Sequence, residues 1–517
     1  MKHPKLRKKT EKKSAHGFNW EDQYSWIHQD NILEVLQDSS KLNPEVKKYL
    51  EEENKYTEFH LHNTKKTQKI LFKEIKGRIK LDDTSLPFQD KNYEYWTETT
   101  KKGNYFKKLR KKIGSNKKEI IWDGDKEKNK TGSSFFSLGS LKVSWNDKFL
   151  GYSIDTIGSE YYTIYVRSIS TNRLITQEIK ETSGSISFSL DDKFIFYSKL
   201  DKNHRPKKIY VHKIGQLNKT DKLIFEEKDP RYNVSILGYT SDEKFFLIES
   251  SDHITSEIYF FSSTEELPKP KLFKKRKNNV MYSIDSWNHK FYMRTNEKAE
   301  DFKIIYCSHK NIRKWKNLIP AKNGVIVGGI TLLNNWIIRG QVEDALYKIY
   351  YKNIKTGVEK ELILSKQKVY SGGISLLKKD RNTDKIYIYY ETPSTPERVY
   401  LYNLKTGSKK LVKKQEIPSG HNPKNYLVER INCDSHDGEK IPITIVRHKK
   451  TKLNINTKLL LYGYGSYGSS VGTGFSSARL SLIDRDIVWA TAHIRGGMER
   501  GMKWWKNGKM LNKKNTF

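Results

Sequence analysis

WNDKFLGYS at residues 145–153 and LDDKFIFYS at residues 190–198 are two copies of one sequence pattern. In each copy a pair of turn-forming residues and a Lys-Phe step precede a run of apolar and aromatic residues typical of a β-strand. Weaker copies read SDEKFFLIES, WNHKFYMRT, LNNWIIRG and DKIYIYY. The pattern therefore indicates a unit of turn and strand that repeats along the chain.

Two markers of this unit recur in phase. The Phe of the Lys-Phe step, or the residue in its place, recurs at intervals of 45, 51, 46, 45 and 50 residues, and a Tyr after an apolar residue recurs at intervals of 45, 49, 47, 44 and 50. The first marker falls at Phe149, Phe194, Phe245, Phe291, Trp336 and Ile386, and the second at Tyr165, Tyr210, Tyr259, Tyr306, Tyr350 and Tyr400. Such a period, with several short strands in each unit, is the signature of β-propeller blades.

The repeat predicts a seven-bladed β-propeller over residues 79–411. Six phased copies are visible, and NYEYWTE at residues 92–98 is placed for one earlier blade. Two separate β-sandwiches are the alternative, but they would not keep so even a spacing.

A helical segment is predicted before the repeat, over residues 1–78. Asn43 followed by Pro44 is a start signal for a helix. A second helix is expected to carry Ile70, Leu71, Ile75 and Ile79 on one side.

The third region, residues 412–517, predicts the incomplete first part of an α/β domain. Two strands are expected around the turn at Asp437-Gly438. KLLLYGYGSYG at 458–468 then predicts a buried strand running into a glycine-rich loop, SARLSLIDRD a helix, and IVWATAHIRGG at 487–497 another buried strand. Strand, loop, helix and strand begin a parallel sheet, and we expect its exposed edge near 487–493.

The loop YGYGSYG is the candidate binding loop, because open α/β sheets bind ligands beyond the carboxyl ends of their parallel strands. Its glycines allow close approach of backbone to a substrate, and its tyrosines offer hydroxyl donors or aromatic walls. The glycines are Gly463, Gly465 and Gly468, and the tyrosines are Tyr462, Tyr464 and Tyr467. The alternative is a glycine-rich turn with packed tyrosines.

Ser470 lies in a G-x-S-x-G sequence, with Asp484, Asp486 and His493 after it. A nucleophile elbow needs a strand directly before the serine and a helix directly after it. Ser470 instead lies in a loop rich in Ser and Gly, and His493 is expected to be a hydrogen-bonded core residue. We therefore do not assign these residues as a catalytic triad.

The C-terminal motifs carry a family resemblance. YGYGSYG, FSSARLSLIDRDIVWATAHIRGGMERG and GKMLNKKNTF resemble the oligopeptidase B branch of the prolyl oligopeptidase family of serine peptidases. The resemblance implies a seven-bladed propeller inserted before the main part of an α/β-hydrolase domain, with the helical N-terminal segment packed on the hydrolase part.

The resemblance also implies residue roles and departures from them. Tyr464 matches the tyrosine that donates to the oxyanion, and Tyr467 matches a position lining the pocket for the residue before the cleaved bond. Arg495 matches a structural position. Gly472 and Gly474 replace two acidic residues that help to bind a second basic residue in that branch, and Met498 replaces a glycine.

By the same resemblance, the nucleophile, acid and base are expected beyond Phe517, together with the acidic residues that recognise Lys or Arg. The complete enzyme would cleave short peptides after Lys or Arg through an acyl-enzyme, and this chain alone would be inactive. A separate polypeptide carrying the rest of the hydrolase domain is a possible partner. The alternative is a non-catalytic propeller that binds peptides or proteins.

Composition excludes several other classes. The formal net charge is +37, but Arg supplies only 19 of the 97 basic residues, and Lys is spread along the chain rather than concentrated in a stripe that would bind phosphates. We therefore expect no nucleic-acid partner. Cys307 and Cys433 are far apart and suggest no disulfide framework or metal site, and no cofactor is expected. No signal or membrane-spanning sequence is visible, so we expect a cytoplasmic protein.

Overall fold

The computed structural model describes residues 1–265 and 267–517. These residues form two compact units, one of Met1–Lys73 with Lys128–Lys228 and one of Glu74–Glu127 with Asp229–Phe517. The domain limits expected at residues 78 and 411 remain predictions. No helix in the described parts of the chain has the length and apolar character needed to cross a membrane.

The N-terminal segment contains a β-hairpin as well as helices. Its elements are β1 (Glu11–Ala15), β2 (Phe18–Asp22), α1 (Ile32–Gln37), α2 (Pro44–Leu61) and α3 (Lys65–Gly77). The predicted start of α2 is confirmed, because the side chain of Asn43 accepts a hydrogen bond from the backbone amide of Glu45 at 2.8 Å. The helical interpretation is wrong for residues 11–22, whose charged strands lack the apolar alternation that predicts a hairpin. Ile79 lies beyond the end of α3.

Antiparallel sheets of short strands follow. The first contains β3 (Phe88–Asp90), β4 (Tyr93–Glu98), β5 (Lys107–Lys112) and β6 (Lys118–Asp123), and α4 (Gly124–Thr131) comes after it. The second contains β7 (Ser137–Val143), β8 (Phe149–Asp155), β9 (Tyr162–Ser168), β10 (Ile179–Phe188), β11 (Phe194–Leu200), β12 (Pro206–Lys213) and β13 (Lys222–Glu226). The third contains β14 (Asn233–Tyr239), β15 (Phe245–Ser251), β16 (Ser256–Ser262) and β17 (Lys271–Lys274).

Three further four-stranded sheets complete this series. The fourth contains β18 (Tyr282–Trp287), β19 (Lys290–Thr295), β20 (Lys303–Ser308) and β21 (Asn311–Ile319). The fifth contains β22 (Val325–Leu332), β23 (Trp336–Glu343), β24 (Leu346–Asn353) and β25 (Glu359–Glu361). The sixth contains β26 (Ser371–Ser375), β27 (Lys385–Thr392), β28 (Thr395–Asn403) and β29 (Lys409–Lys414).

The two sequence markers occupy equivalent places in these sheets. The first marker lies at or next to the start of β8, β11, β15, β19, β23 and β27, and the second lies on β9, β12, β16, β20, β24 and β28. The repeat of short antiparallel strands is therefore confirmed. The second sheet has seven strands because β10 pairs with both β9 and β11, and so joins two repeats. The count of seven blades remains a prediction.

Burial on both faces explains why apolar and polar residues alternate poorly in these strands. On β15 the consecutive residues Phe246, Leu247 and Ile248 are all buried. Successive residues of a strand point to opposite faces, so a run of three buried residues requires cover on both faces. This packing supplies the core of the repeating sheets.

The C-terminal region forms a mixed sheet. Its elements are β30 (Tyr426–Asp434), β31 (Lys440–His448), β32 (Leu459–Tyr462), α5 (Ser477–Ile483), β33 (Val488–Ala492) and α6 (Met502–Lys506). The predicted turn at Asp437-Gly438 joins β30 to β31, with Gly438 at φ +82°. β32 and β33 are parallel, as predicted, whereas β31 and β33 are antiparallel.

The edge of this sheet is not where the sequence predicted it. The strand order is β30-β31-β33-β32, so β33 lies in the interior and the expectation of an exposed edge at 487–493 is wrong. The edge strands are β30 and β32, and on β32 Leu459 and Leu461 are 58% and 61% exposed. The crossover through α5 carries the chain back between β31 and β32, and such an order depends on long-range pairing that local sequence does not specify.

Candidate active-site loop

The loop YGYGSYG leaves the sheet at the carboxyl end of β32. Tyr462, the last residue of β32, is paired with Thr491 of β33. Because these two strands are parallel, their carboxyl ends lie side by side, and the segments that follow them emerge at the same edge of the sheet. This is the edge at which open α/β sheets bind ligands.

The segment after β32 and the segment after β33 contact each other through their backbones. The amide of Gly468 donates to the carbonyl of Gly496 at 2.9 Å. A Cβ added to Gly496 would lie 2.0 Å from the carbonyl oxygen of Gly465, and a Cβ on Gly465 would lie 2.7 Å from the carbonyl oxygen of Arg495. Only glycine permits this approach, so the glycines of the two motifs fix the loop in place.

Charged side chains add further anchors to the loop. The Lys513 ammonium donates to the carbonyl of Gly465 and, at 2.9 Å, to the hydroxyl of Ser466. Arg495 is 1% exposed, pairs with Asp437 and donates to the carbonyl of Asn515 at 2.9 Å. The hydrogen bonds from Arg495 lower the pKa of Asp437 to about 2. Arg495 therefore ties the end of β33 to the turn after β30.

Two tyrosines remain exposed on this fixed loop. Tyr464 is 45% exposed and Tyr467 is 76% exposed. Within residues 1–265 and 267–517, the Tyr464 hydroxyl has no hydrogen-bond partner, so it is free to donate to an oxygen that gains negative charge. Tyr467 has a φ of +56°, which is costly for a residue with a side chain, and its ring lies 6.0 Å from that of His253.

The repeating sheets hold the segment after β33. Asp344, between β23 and β24, accepts from Arg500 at 2.7 Å and pairs with Arg430 at 3.2 Å. Asp301, before β20, accepts from the backbone amide of Met502 at 2.6 Å. These acidic residues therefore position the start of α6, which follows the glycines that support the loop.

The residues of the G-x-S-x-G sequence do not come together as a triad. Ser470 lies in a loop without regular secondary structure. Asp484 accepts from Tyr426 at 2.7 Å, and Asp486 accepts from Thr451 at 2.9 Å. His493 is fully buried, as predicted. Its Nε2 lies 2.8 Å from the Thr444 hydroxyl, and burial lowers its pKa to about 4.

Glu499 is a buried acid that the sequence interpretation missed. It is 1% exposed. One carboxylate oxygen accepts from the backbone amide of Val471 at 3.0 Å, while the other has no partner in the described part of the chain. Burial raises the pKa of Glu499 to about 7. The only sequence signal for a buried acid here is that RGGMERG places an acidic residue between a buried strand and a helix. The neighbouring Met498 packs against Gly468.

Gly472 and Gly474, which stand where the oligopeptidase B branch has two acidic residues, differ in the free space around them. A Cβ on Gly472 would have no neighbour within 4 Å, whereas a Cβ on Gly474 would lie 2.1 Å from a carboxylate oxygen of Glu391. Glu391 lies on β27, and burial raises its pKa. A carboxylate from the sixth sheet therefore fills the space beside Gly474.

Comparison with known proteins identifies the family. Residues 4–415 match the family model described as the prolyl oligopeptidase N-terminal β-propeller domain. The chain belongs to the prolyl oligopeptidase family. The resemblance found in the sequence is therefore confirmed, and the repeating sheets are those of the family's propeller.

Individual members of the family are similar along nearly the whole chain. Dipeptidyl aminopeptidase BI of Pseudoxanthomonas mexicana is 29% identical, over 98% of this chain and 70% of the relative. Protease 2 of Moraxella lacunata is 26% identical, over 100% of this chain and 74% of the relative. The structure of oligopeptidase B from Leishmania major superposes with a TM-score of 0.92 at 24% identity, and covers 100% of this chain and 75% of that one. This structural similarity to oligopeptidase B from Leishmania major, at 24% identity, shows the fold alone.

Proposed function

We propose that this chain forms a seven-bladed propeller and the oxyanion side of the catalytic domain of a serine oligopeptidase. The observation that carries the proposal is the free hydroxyl of Tyr464, half-exposed on a loop whose backbone is fixed by glycines. A donor aimed at the developing oxyanion acts only if it is held in place before the reaction. Tyr467, in its constrained conformation on the same loop, would line the pocket for the residue before the cleaved bond.

The remaining catalytic groups are proposed to lie outside residues 1–517. Ser470, Asp484, Asp486 and His493 each have surroundings that do not suit a triad, which supports the expectation from the family resemblance that the nucleophile and base lie elsewhere. The complete enzyme would cleave short peptides after Lys or Arg through an acyl-enzyme. The chain alone would not hydrolyse such peptides, because loss of a triad costs roughly 10⁶-fold in rate.

The edge strand β32 is the proposed joint with the rest of the catalytic domain. Residues Leu459–Tyr462 pair with β33 on one side only, and Leu459 and Leu461 are exposed. An open strand edge with exposed apolar side chains readily accepts another strand. If a separate polypeptide carries the remaining strands, β32 is where its first strand would pair.

Reconstitution with a polypeptide that carries the remaining hydrolase strands tests the proposal. We expect the mixture to cleave an Arg-containing chromogenic peptide and each component alone to be inactive. In the active mixture Tyr464→Phe should lower kcat by about 10²–10³-fold with little change in KM, because it removes only the oxyanion donor. Tyr462→Phe removes a hydroxyl from a residue of similar exposure at the end of β32 and should have little effect.

Two outcomes would contradict the proposal. If Tyr464→Phe and Tyr462→Phe changed kcat equally, Tyr464 would not be an oxyanion donor. If the two components were folded and associated but showed no cleavage, the chain would not be part of a peptidase assembled from two polypeptides.

A further inference from the structure

A cavity of about 300 Å³ lies inside the second compact unit, and no residue of the tyrosine loop lines it. Its wall is built by strands of three successive sheets, β14 and β15, β18 and β19, and β22. Arg381, in the segment between β26 and β27, completes it. The cavity has the size of the smaller ligand sites of proteins.

Arg294, on β19, is a cation without a carboxylate partner in this wall. Its Nε donates to the carbonyl of Val327 at 2.6 Å, and its guanidinium lies 3.5 Å above the ring of Phe302. Among residues 1–265 and 267–517 no carboxylate forms an ion pair with it, and burial lowers its pKa to about 10. A guanidinium that is partly withdrawn from water and left unpaired is unfavourable unless an anion compensates for it.

Arg381 brings a second guanidinium to the same cavity. Its Nη1 donates to the carbonyl of Leu332 at 2.9 Å, and within the described chain it makes no ion pair. Asp285, Asp242 and Glu243 are near enough to raise its pKa, although burial lowers it overall. The cavity therefore has two arginines held by backbone carbonyls and stacking.

Asp285 is the one carboxylate in the wall of the cavity. It accepts from the backbone amides of Ser241 and Ser286, both at 2.7 Å, and from the Ser241 hydroxyl at 2.5 Å. These three donors satisfy its oxygens, so it does not neutralise Arg294 by direct contact.

The rest of the wall combines apolar and hydroxyl groups. Leu237, Leu247 and Ile330 provide aliphatic surface, and Tyr239 and Tyr292 provide aromatic surface with hydroxyls. A small inorganic anion would leave this aliphatic surface without contacts. A ligand with an anionic end and an apolar body would use both parts of the wall.

We propose that this cavity binds an organic carboxylate, whose oxygens accept hydrogen bonds from Arg294 and Arg381 while its apolar part packs on Leu237, Leu247 and Ile330. Arginine suits this role because its planar guanidinium presents paired donors to a carboxylate. The carboxylate could come from the C-terminus of a peptide or from a small free acid, and the binding experiment separates these sources.

Isothermal titration of the 517-residue chain tests the proposal, with the tripeptide Ala-Ala-Leu, its C-terminal amide, hexanoate and inorganic phosphate as probes. We expect the tripeptide acid to bind and its amide not to bind. Hexanoate binding as tightly as the tripeptide would assign the site to small free acids. Equal binding of acid and amide, or phosphate binding as tightly as either carboxylate, would overturn the proposal.

Matched variants assign the binding to the cavity. Arg294→Gln should weaken binding of the carboxylate by about tenfold or more, because it removes a charge-assisted pair of hydrogen bonds. Arg313→Gln removes the same charge from an exposed position on β21 and should leave the affinity unchanged. If Arg294→Gln does not fold, Arg381→Gln takes its place with the same expected loss. Unchanged affinity in a folded cavity variant would overturn the assignment.

Discussion

The repeating sheets and the C-terminal sheet achieve close packing in different ways. In the repeating sheets a Cβ added to Gly340 on β23 would meet the hydroxyl of Tyr347 at 2.0 Å, which is the far end of a side chain. Beside the tyrosine loop a Cβ on Gly496 would meet the carbonyl oxygen of Gly465 at the same distance. A side chain can rotate away, whereas a backbone held at both ends cannot. At these two positions, therefore, the contact in the sheet can adjust and the contact beside the loop cannot.

The largest expected effect comes from breaking the backbone contact. Gly496→Ala should destabilise the C-terminal sheet by more than about 4 kcal/mol, because the new methyl group meets backbone and the φ of +96° at this position disfavours any side chain. Gly340→Ala should cost only about 1–2 kcal/mol, since the Tyr347 ring can move. Hydrogen exchange of the amides in β32 and β33 measures the first effect, and exchange in β23 and β24 measures the second.

These local measurements are needed because a single unfolding midpoint of a chain with two compact units would not report the two sheets separately. Equal losses for the two variants, each measured in its own sheet, would show that the backbone contact is no more rigid than the side-chain contact.

The same contrast explains what the sequence could predict. The markers at Phe245 and Tyr259 were visible because each repeat buries the same residue types at the same strand positions, so periodicity reports the packing directly. The order of β33 and β32 was not visible, since it depends on which strands pair across the sheet and not on the residues of either strand. The hairpin of β1 and β2 was missed because its residues are mostly exposed and charged.

The sequence predicted only those residues of the candidate site that belong to a recognisable motif. YGYGSYG marked Tyr464 and Tyr467, and the structure leaves both exposed on the loop. The environment of Glu499 could not be predicted, because its burial is created by segments distant in sequence, including the loop around Val471.

A second and smaller effect on the stability of the C-terminal region is expected from the ionisation of Glu499. Burial raises its pKa from an ordinary value of 4.5 to about 7. Between these values the folded state keeps a proton that the unfolded state releases. Its contribution to stability is therefore full below about pH 4.5 and is lost as the pH rises through 7, by about 3 kcal/mol.

Glu499→Gln isolates this effect. The variant keeps the shape of the side chain but cannot ionise, so the stability difference between variant and natural protein should grow in favour of the variant from pH 4 to pH 8. His493, whose pKa is lowered to about 4, contributes the opposite slope between about pH 4 and 6.5, but it is common to both proteins and cancels. Hydrogen exchange of β33 at several pH values measures the difference, and a constant difference would show that Glu499 does not carry the raised pKa.

The smallest expected effect comes from restoring acidic residues at positions 472 and 474. Gly474→Asp places a carboxylate against that of Glu391, which is already disfavoured by burial, so we expect a loss of about 2 kcal/mol from crowding and like charge. Gly472→Asp enters open space and should change stability by less than about 0.5 kcal/mol. Gly474→Ala separates crowding from charge, since it retains the steric contact alone.

Hydrogen exchange of the amides in β27 at pH 5 and pH 8 distinguishes these contributions. The loss in Gly474→Asp should be larger at pH 8, because both carboxylates are then ionised, whereas the loss in Gly474→Ala should not depend on pH. In Gly474→Asp,Glu391→Gln the pH-dependent part should disappear, because only one carboxylate remains. Equal stability of Gly474→Asp and Gly472→Asp would show that the Glu391 side chain can leave the space beside Gly474. The contact between the sixth sheet and the loop that contains Gly474 would then be as adjustable as the side-chain contacts within the repeating sheets.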